Sequence, residues 1–199
     1  MSTAPISAGR TTILEVAVRL FGQNGYSGTS MRDIAKAVGV LPGSLYAHIA
    51  SKETLLVEIV DEGIQSFLKA VVPIAESEGP APDRLRRAIR AHVEVVAQNP
   101  EQSLVVFHQW RFLAGEKLDW AIAQRRRYEQ AFVSIVRDGI RSGAFDPALS
   151  TRITVLTILG ALNWTPEWYS KTGPSTPSEL AAQMADVLIS GIRIPNDRS

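Results

Sequence analysis

Three histidines, His48, His92 and His108, fall in separate segments with no metal-ligand spacing between them. The chain has no cysteine, so no thiolate can serve as nucleophile, zinc ligand or disulfide partner. Asp61-Glu62 sets two carboxylates side by side in a helical stretch, where sequence neighbours point apart. No glycine-rich phosphate loop follows a strand. These residues therefore predict no enzyme, no metal and no cofactor. What remains is charge placed for phosphate. Up to Lys52 there are five basic residues (Arg10, Arg19, Arg32, Lys36, Lys52) against two acidic ones (Glu15, Asp33), while all 199 residues together carry only +1. A locally cationic end on a nearly neutral protein suits nucleic-acid contact. A second concentration is aromatic and polar: Phe107, His108, Trp110, Arg111, Phe112, Trp120, Tyr128, Asn163, Trp164 and Trp168. Any one of these tryptophans reads first as core or interface packing, but together they suggest the walls of a small-molecule pocket.

The elements that would position these groups are all helical. Ile13, Leu14, Ala17, Leu20 and Phe21 mark one face of a first helix. Ser30 and Asp33 form a capping box for a short second helix that buries Met31, Ile34, Ala35 and Val38, and Gly39 ends it. A third helix covers about Pro42 to His48. Ser51 caps a long fourth one with Leu55, Leu56, Ile59, Val60, Ile64, Phe67, Leu68 and Val71 inward. Asn99-Pro100 separates a fifth helix from a sixth, and a seventh runs from about Glu116 to Ser142. An eighth spans roughly Ser150 to Tyr169 with a kink at Pro166, and Leu180, Met184, Val187 and Leu188 line a ninth. With 45% hydrophobic and 21% charged residues, the composition is globular. Met1 to Arg10 lacks the apolar core of a signal peptide. The run Ile153 to Trp164 is shorter than the about 20 residues a bilayer requires, so no membrane partner and a cytoplasmic location are expected.

Residues 30 to 48 have the spacing of a helix-turn-helix, whose second helix lies in the major groove. The string Phe21-Gly22 … Gly25-Tyr26-Ser27-Gly28-Thr29-Ser30-Met31-Arg32-Asp33-Ile34-Ala35 … Val38-Gly39-Val40 … Gly43-Ser44-Leu45-Tyr46 … His48 … Ser51-Lys52-Glu53-Thr54-Leu55 closely resembles the DNA-binding domain of the TetR family of bacterial transcriptional regulators. The resemblance covers residues 10 to 56. It implies an all-α protein of about nine helices: a three-helix DNA-binding domain over residues 1–56, then a helical-bundle effector and dimerisation domain over 57–199. It further implies that Thr29, Arg32, Tyr46, His48 and Lys52 touch phosphates of double-stranded operator DNA, while Pro42, Gly43 and Ser44 face base edges. Most members carry a capping Ser or Thr where this chain has Leu41, which removes a cap worth about 1 kcal/mol. With such small residues at the base edges, specificity is expected to be shared between two half-sites and DNA shape.

The eighth helix is apolar on two faces, Ile153, Leu156 and Gly160 on one, Val155, Leu159 and Leu162 on the other. Such a helix serves its own core and a partner. A homodimer built on Leu159, Leu162, Trp168, Leu180, Met184 and Leu188 is expected, bringing two recognition helices to successive half-sites. The segment Gly160-Ala161-Leu162-Asn163-Trp164-Thr165-Pro166-Glu167-Trp168-Tyr169, with Gly173-Pro174 and Ser178-Glu179-Leu180, resembles TetR members that sense acyl-CoA thioesters. So does Val40-Leu41-Pro42-Gly43-Ser44-Leu45-Tyr46. That implies a small hydrophobic effector, an acyl-CoA, held by Phe107, Trp110, Arg111, Tyr128, Leu156, Asn163 and Trp164. Arg111, Arg125, Arg126 and Arg127 are the nearest candidates for its phosphates, while at least two of Arg125 to Arg127 read first as a solvated helix face, as do Arg84, Arg86, Arg87 and Arg90. The expected function is a repressor released from DNA by its effector, through tilting of the fourth helix. Two alternatives stay open: a regulator answering to a non-CoA lipophilic drug or xenobiotic, and a helical enzyme processing acyl thioesters. A purely structural helical adaptor leaves the DNA-domain string unexplained.

Overall fold

The computed structural model describes residues 9–194, and every regular element among them is helical. Helix α1 (Arg10–Asn24) buries Ile13, Ala17 and Phe21, four residues apart on one face. It is followed by α2 (Met31–Val38), α3 (Pro42–Tyr46) and the long α4 (Lys52–Glu76). Ser51 Oγ accepts the Thr54 amide at 3.1 Å, the expected cap of α4. Helix α5 (Ala81–Gln98) gives way at Asn99 to α6 (Pro100–Leu104). That helix does not continue regularly: Val105–Gln109 form a π turn and Trp110–Phe112 a 3-10 turn before α7 (Gly115–Arg141) begins.

The expected eighth helix is interrupted rather than kinked. It consists of α8 (Thr151–Asn163) and a separate turn, α9 (Thr165–Trp168), with Trp164 between them. Pro166 has no N–H to give the carbonyl of Leu162, so the ladder stops and Pro166 sits in the first turn of a new element. Helix α10 (Pro177–Ser190) starts with a capping box between Thr176 and Glu179 and packs on α5 through Ala181, Ala185 and Ile189. No described helix is long and apolar enough to cross a membrane.

Backbone contacts divide the chain into two compact units. The first holds residues up to Ile64 together with Glu101–Ile122; the second holds Gln65–Pro100 and the chain from Ala123 onward. All three divisions fall inside helices, α4, α6 and α7. The core of the first unit joins Phe21, Ile34, Leu45, Leu56 and Ile59 to Val105, Leu113 and Ala121.

Candidate nucleic-acid interface and effector site

In the first unit, α2 is fixed at both ends. Ser30 Oγ and Asp33 cap one another, with the Ser30 amide 2.8 Å from Asp33 Oδ2 and the Asp33 amide 3.2 Å from Ser30 Oγ. The hydrogen bonds from the Ser30 hydroxyl and amide hold the Asp33 carboxyl below its ordinary range. At the other end Gly39 takes φ +82°, a left-handed conformation glycine adopts without strain, and its amide reaches Ala35 O at 3.0 Å. The chain then turns into α3, of which only Leu45 points into the core. Pro42, Gly43, Ser44, Tyr46 and His48 are all exposed, as is Arg32 on α2. The structure thus leaves all six of these expected DNA-contacting residues exposed.

Two expected phosphate ligands have other work. Thr29 is 2% exposed, and its hydroxyl donates to the carbonyls of Gly25 (2.9 Å) and Leu20 (3.2 Å). Its side chain locks the turn between α1 and α2 and is turned away from the surface, unlike the expected phosphate ligand. Lys52 donates to the carbonyls of Tyr26 and Thr29, both at 2.8 Å, and its ammonium lies 4.2 Å from the centre of the Tyr26 ring. Two of its three protons are therefore committed inside the protein. Arg10 is likewise engaged, bonding His48 O at 3.0 Å and the Glu58 carboxylate.

Sequence reasoning missed what holds this turn from the far side. Gln109, in the π turn, donates through Nε2 to Phe21 O at 2.8 Å and accepts the Tyr26 amide at Oε1. The Phe112 ring packs 5.3 Å from the Tyr26 ring. Close approach here needs Gly63 on α4, because a Cβ at that position would stand 2.3 Å from Val106 Cγ2. Phe107 is buried, Trp110 packs against the core of the first unit, and the Arg111 guanidinium lies 4.8 Å over the Trp110 ring. A groove of about 300 Å³ in this unit is lined by Val57, Asp61, Glu116, Lys117 and Trp120, of which only Trp120 belongs to the aromatic group expected to wall a pocket.

The second unit centres on a buried polar triad. Leu162 O, deprived of a helical partner by Pro166, accepts from His92 Nε2 at 3.0 Å. A carbonyl only accepts, so the proton sits on Nε2, and Nδ1 accepts the Tyr128 hydroxyl at 2.7 Å. Rings of Phe67 and Phe132 surround the pair. Burial lowers the His92 pKa from 6.5 to about 4, the hydrogen bond to Leu162 opposing it, and burial pushes the Tyr128 hydroxyl far up. Of the expected ligand residues in this unit, Tyr128 is thus a buried structural partner, and Asn163 has its Oδ1 buried without a hydrogen-bond partner.

The two faces of α8 are buried and exposed the other way round from the expectation. Leu162 is 0% exposed and Leu159 is also buried, so neither is offered to a partner. Leu156 and Trp164, expected in the ligand site, lie outward instead with Ile153 and Gly160; Trp164 is 57% exposed. Trp168 is exposed, and Leu180, Met184 and Leu188 are half-buried. The reason is angular: with α8 resting on α5, positions 155, 158, 159 and 162 turn inward and 153, 156, 160 and 164 outward. The α5 arginines are structural or surface partners. Arg84 bonds Ala75 O at 2.9 Å and Asp138 at 2.7 Å, while Arg86 pairs with Asp186, Arg87 with Ser77, and Arg90 with Glu94.

Residues 13–59 match the family described as bacterial regulatory proteins, tetR family, and residues 78–192 match the tetracyclin repressor-like C-terminal domain. The HTH-type transcriptional repressor KstR2 of Mycobacterium tuberculosis is 28% identical over 192 residues, covering 94% of both chains. The solved structure of KstR2 from that organism, described as a ketosteroid transcriptional regulator, superimposes with a TM-score of 0.87 at 26% identity over 94% of this chain and 95% of that one. AibR, solved with isovaleryl coenzyme A and operator DNA, gives 0.79 at 27% identity over 94% of this chain and 98% of its own.

Proposed function

Because the chain belongs to the TetR family of bacterial transcriptional regulators, we propose that it represses transcription as a homodimer on operator DNA and is released by an acyl-CoA thioester. The observation that carries the DNA half is the geometry of residues 30–48. Ile34, Ala35 and Leu45 of the helix-turn-helix are sealed in the core, while Arg32, Ser44, Tyr46 and His48 are all exposed. Phosphate contacts by Arg32, Tyr46 and His48 position the unit, and α3 meets the base edges. The exposed apolar face of α8, continued by Trp168 and by Val187 on α10, supplies the surface for the second copy. The relatives are regulators rather than enzymes.

The effector class rests on the likeness to AibR, whose structure holds isovaleryl coenzyme A. In this chain the unsatisfied Asn163 amide oxygen offers an acceptor to a ligand donor, and the exposed Arg126 and Arg127 suit its phosphates. The deciding experiment is a mobility shift on DNA upstream of the protein's own gene, with a panel of acyl-CoA thioesters, their free acids and free CoA. Release by a thioester but not by its acid is expected. Release only by lipophilic compounds without CoA would reassign the effector, and absence of a specific shift would remove the DNA reading.

The exposed and the committed cations should separate in experiment. Arg32→Ala is expected to weaken operator binding and reduce the slope of log affinity against log salt by about one per contact, with an unchanged melting temperature. Lys52→Met should lower the melting temperature as well, since it removes two charge-assisted hydrogen bonds from the α1–α2 turn. Salt titrations and thermal melts on both variants make the check; a Lys52→Met protein as stable as the parent would return Lys52 to the phosphates.

A further inference from the structure

The recognition helix lacks the side chains with which proteins ordinarily read purines. From Ala37 to Ser51 there is no Lys, Arg, Asn, Gln, Asp or Glu. Bidentate contacts to guanine need Arg or Lys, those to adenine need Asn or Gln, and the cytosine amino group calls for a carboxylate. None of these lies between Ala37 and Ser51, and the exposed Ser44 hydroxyl, able to bond to any base, does not choose among them. One base feature in the major groove is apolar, the 5-methyl group of thymine, and it is read by apolar contact.

The structure presents an apolar group for that purpose. Leu41, immediately before α3, is 76% exposed. Its carbonyl accepts the amides of Ser44 (3.0 Å) and Leu45 (3.2 Å), so its backbone is held while its side chain stands clear of the core. Leu45, fully buried, anchors the same turn from inside. At Gly43 nothing lies within 4 Å of where a Cβ would be, so the start of α3 is open at that position too. A polar residue here would cap α3, but Leu41 makes no side-chain cap bond.

We propose that Leu41 is a specificity-determining residue, seating its isobutyl group against the methyl of a thymine in each operator half-site. Phosphate contacts supply most of the affinity, and the two methyl contacts supply a large share of the direct discrimination. This rests on the operator-binding reading above, and the test distinguishes the two.

Duplexes are selected from a random pool with the full-length protein, and the enriched sequence is resynthesised with deoxyuridine replacing thymine at each symmetric pair of positions in turn. Removing one methyl without changing the base pairing should weaken binding about fourfold at one such position. Replacement in both half-sites should give roughly fifteenfold, on the transfer free energy of one buried methyl group each. Leu41→Ala, which empties no core position, should bind the thymine and deoxyuridine duplexes equally and melt like the parent. Indifference of the parent protein to every thymine replacement, or undiminished sensitivity in Leu41→Ala, would overturn the assignment. Failure to enrich any sequence would sink the operator-binding reading and this inference with it.

Discussion

Alanine at His92 should lower the stability of the second unit by roughly 3–5 kcal/mol, enough to deplete the folded protein at growth temperature. Three losses add up. A fully buried ring leaves a void, Leu162 O loses its donor with no helical amide to replace it, and the Tyr128 hydroxyl loses its acceptor in the same dry surroundings. The ring also couples stability to pH, in a direction set by its lowered pKa. In the unfolded chain the imidazole takes up a proton below about 6.5, whereas in the fold it stays neutral down to about 4. The fold therefore keeps the full contribution above 6.5 and loses it as pH falls from there toward 4, by about 2 kcal/mol at pH 5. Urea unfolding of the parent and of His92→Gln at pH 7.5 and pH 5 measures this. The parent should lose that increment and the variant should not; an equal loss in both would mean that His92 is protonated in the fold.

Arginine at Leu156 should produce a monomer and reduce operator affinity by at least roughly a hundredfold, toward the level of non-specific binding. The side chain stands outward on α8 in line with Ile153, Gly160 and Trp164, and a dimer closing over this face would bury an unpaired guanidinium. A monomer brings one recognition helix to one half-site, whereas a dimer brings two about 34–36 Å apart. Light scattering and mobility shift on the same preparation check both effects. Leu162→Ala is the companion: Leu162 is interior, so its truncation should lower the melting temperature by way of a cavity and leave the fold's outer surface as it was. A dimeric Leu156→Arg protein with parental operator affinity would show that this face meets solvent.

The residues that form α2 announced themselves through local chemistry. Ser30 and Asp33 close on each other within one turn, and Gly39 stops the helix through its own backbone freedom, so nothing distant was needed to read them. The two faces of α8 were equally visible in the spacing, but not which one turns inward. Both are apolar, and the choice is made by α5, far away in sequence. For the same reason Thr29 and Lys52 matched a pattern of phosphate ligands while their donors had already been claimed by carbonyls of the α1–α2 turn. The π turn at Val105–Gln109 carries no periodic signal across five residues, so neither the irregularity nor the role of Gln109 could be found before folding. Leu162, His92 and Pro166 illustrate the remaining gap. In the sequence the proline signals a bend, yet its larger effect in the fold is the Leu162 carbonyl left open for a histidine 70 positions away.

The α1–α2 turn is fastened by Lys52 from one side and by Gln109 from the other, with Thr29 closing it from within. The reading head is consequently ordered before any duplex arrives. Binding then spends little entropy on coupled folding, and its heat-capacity change should reflect rigid burial of the contact surface alone.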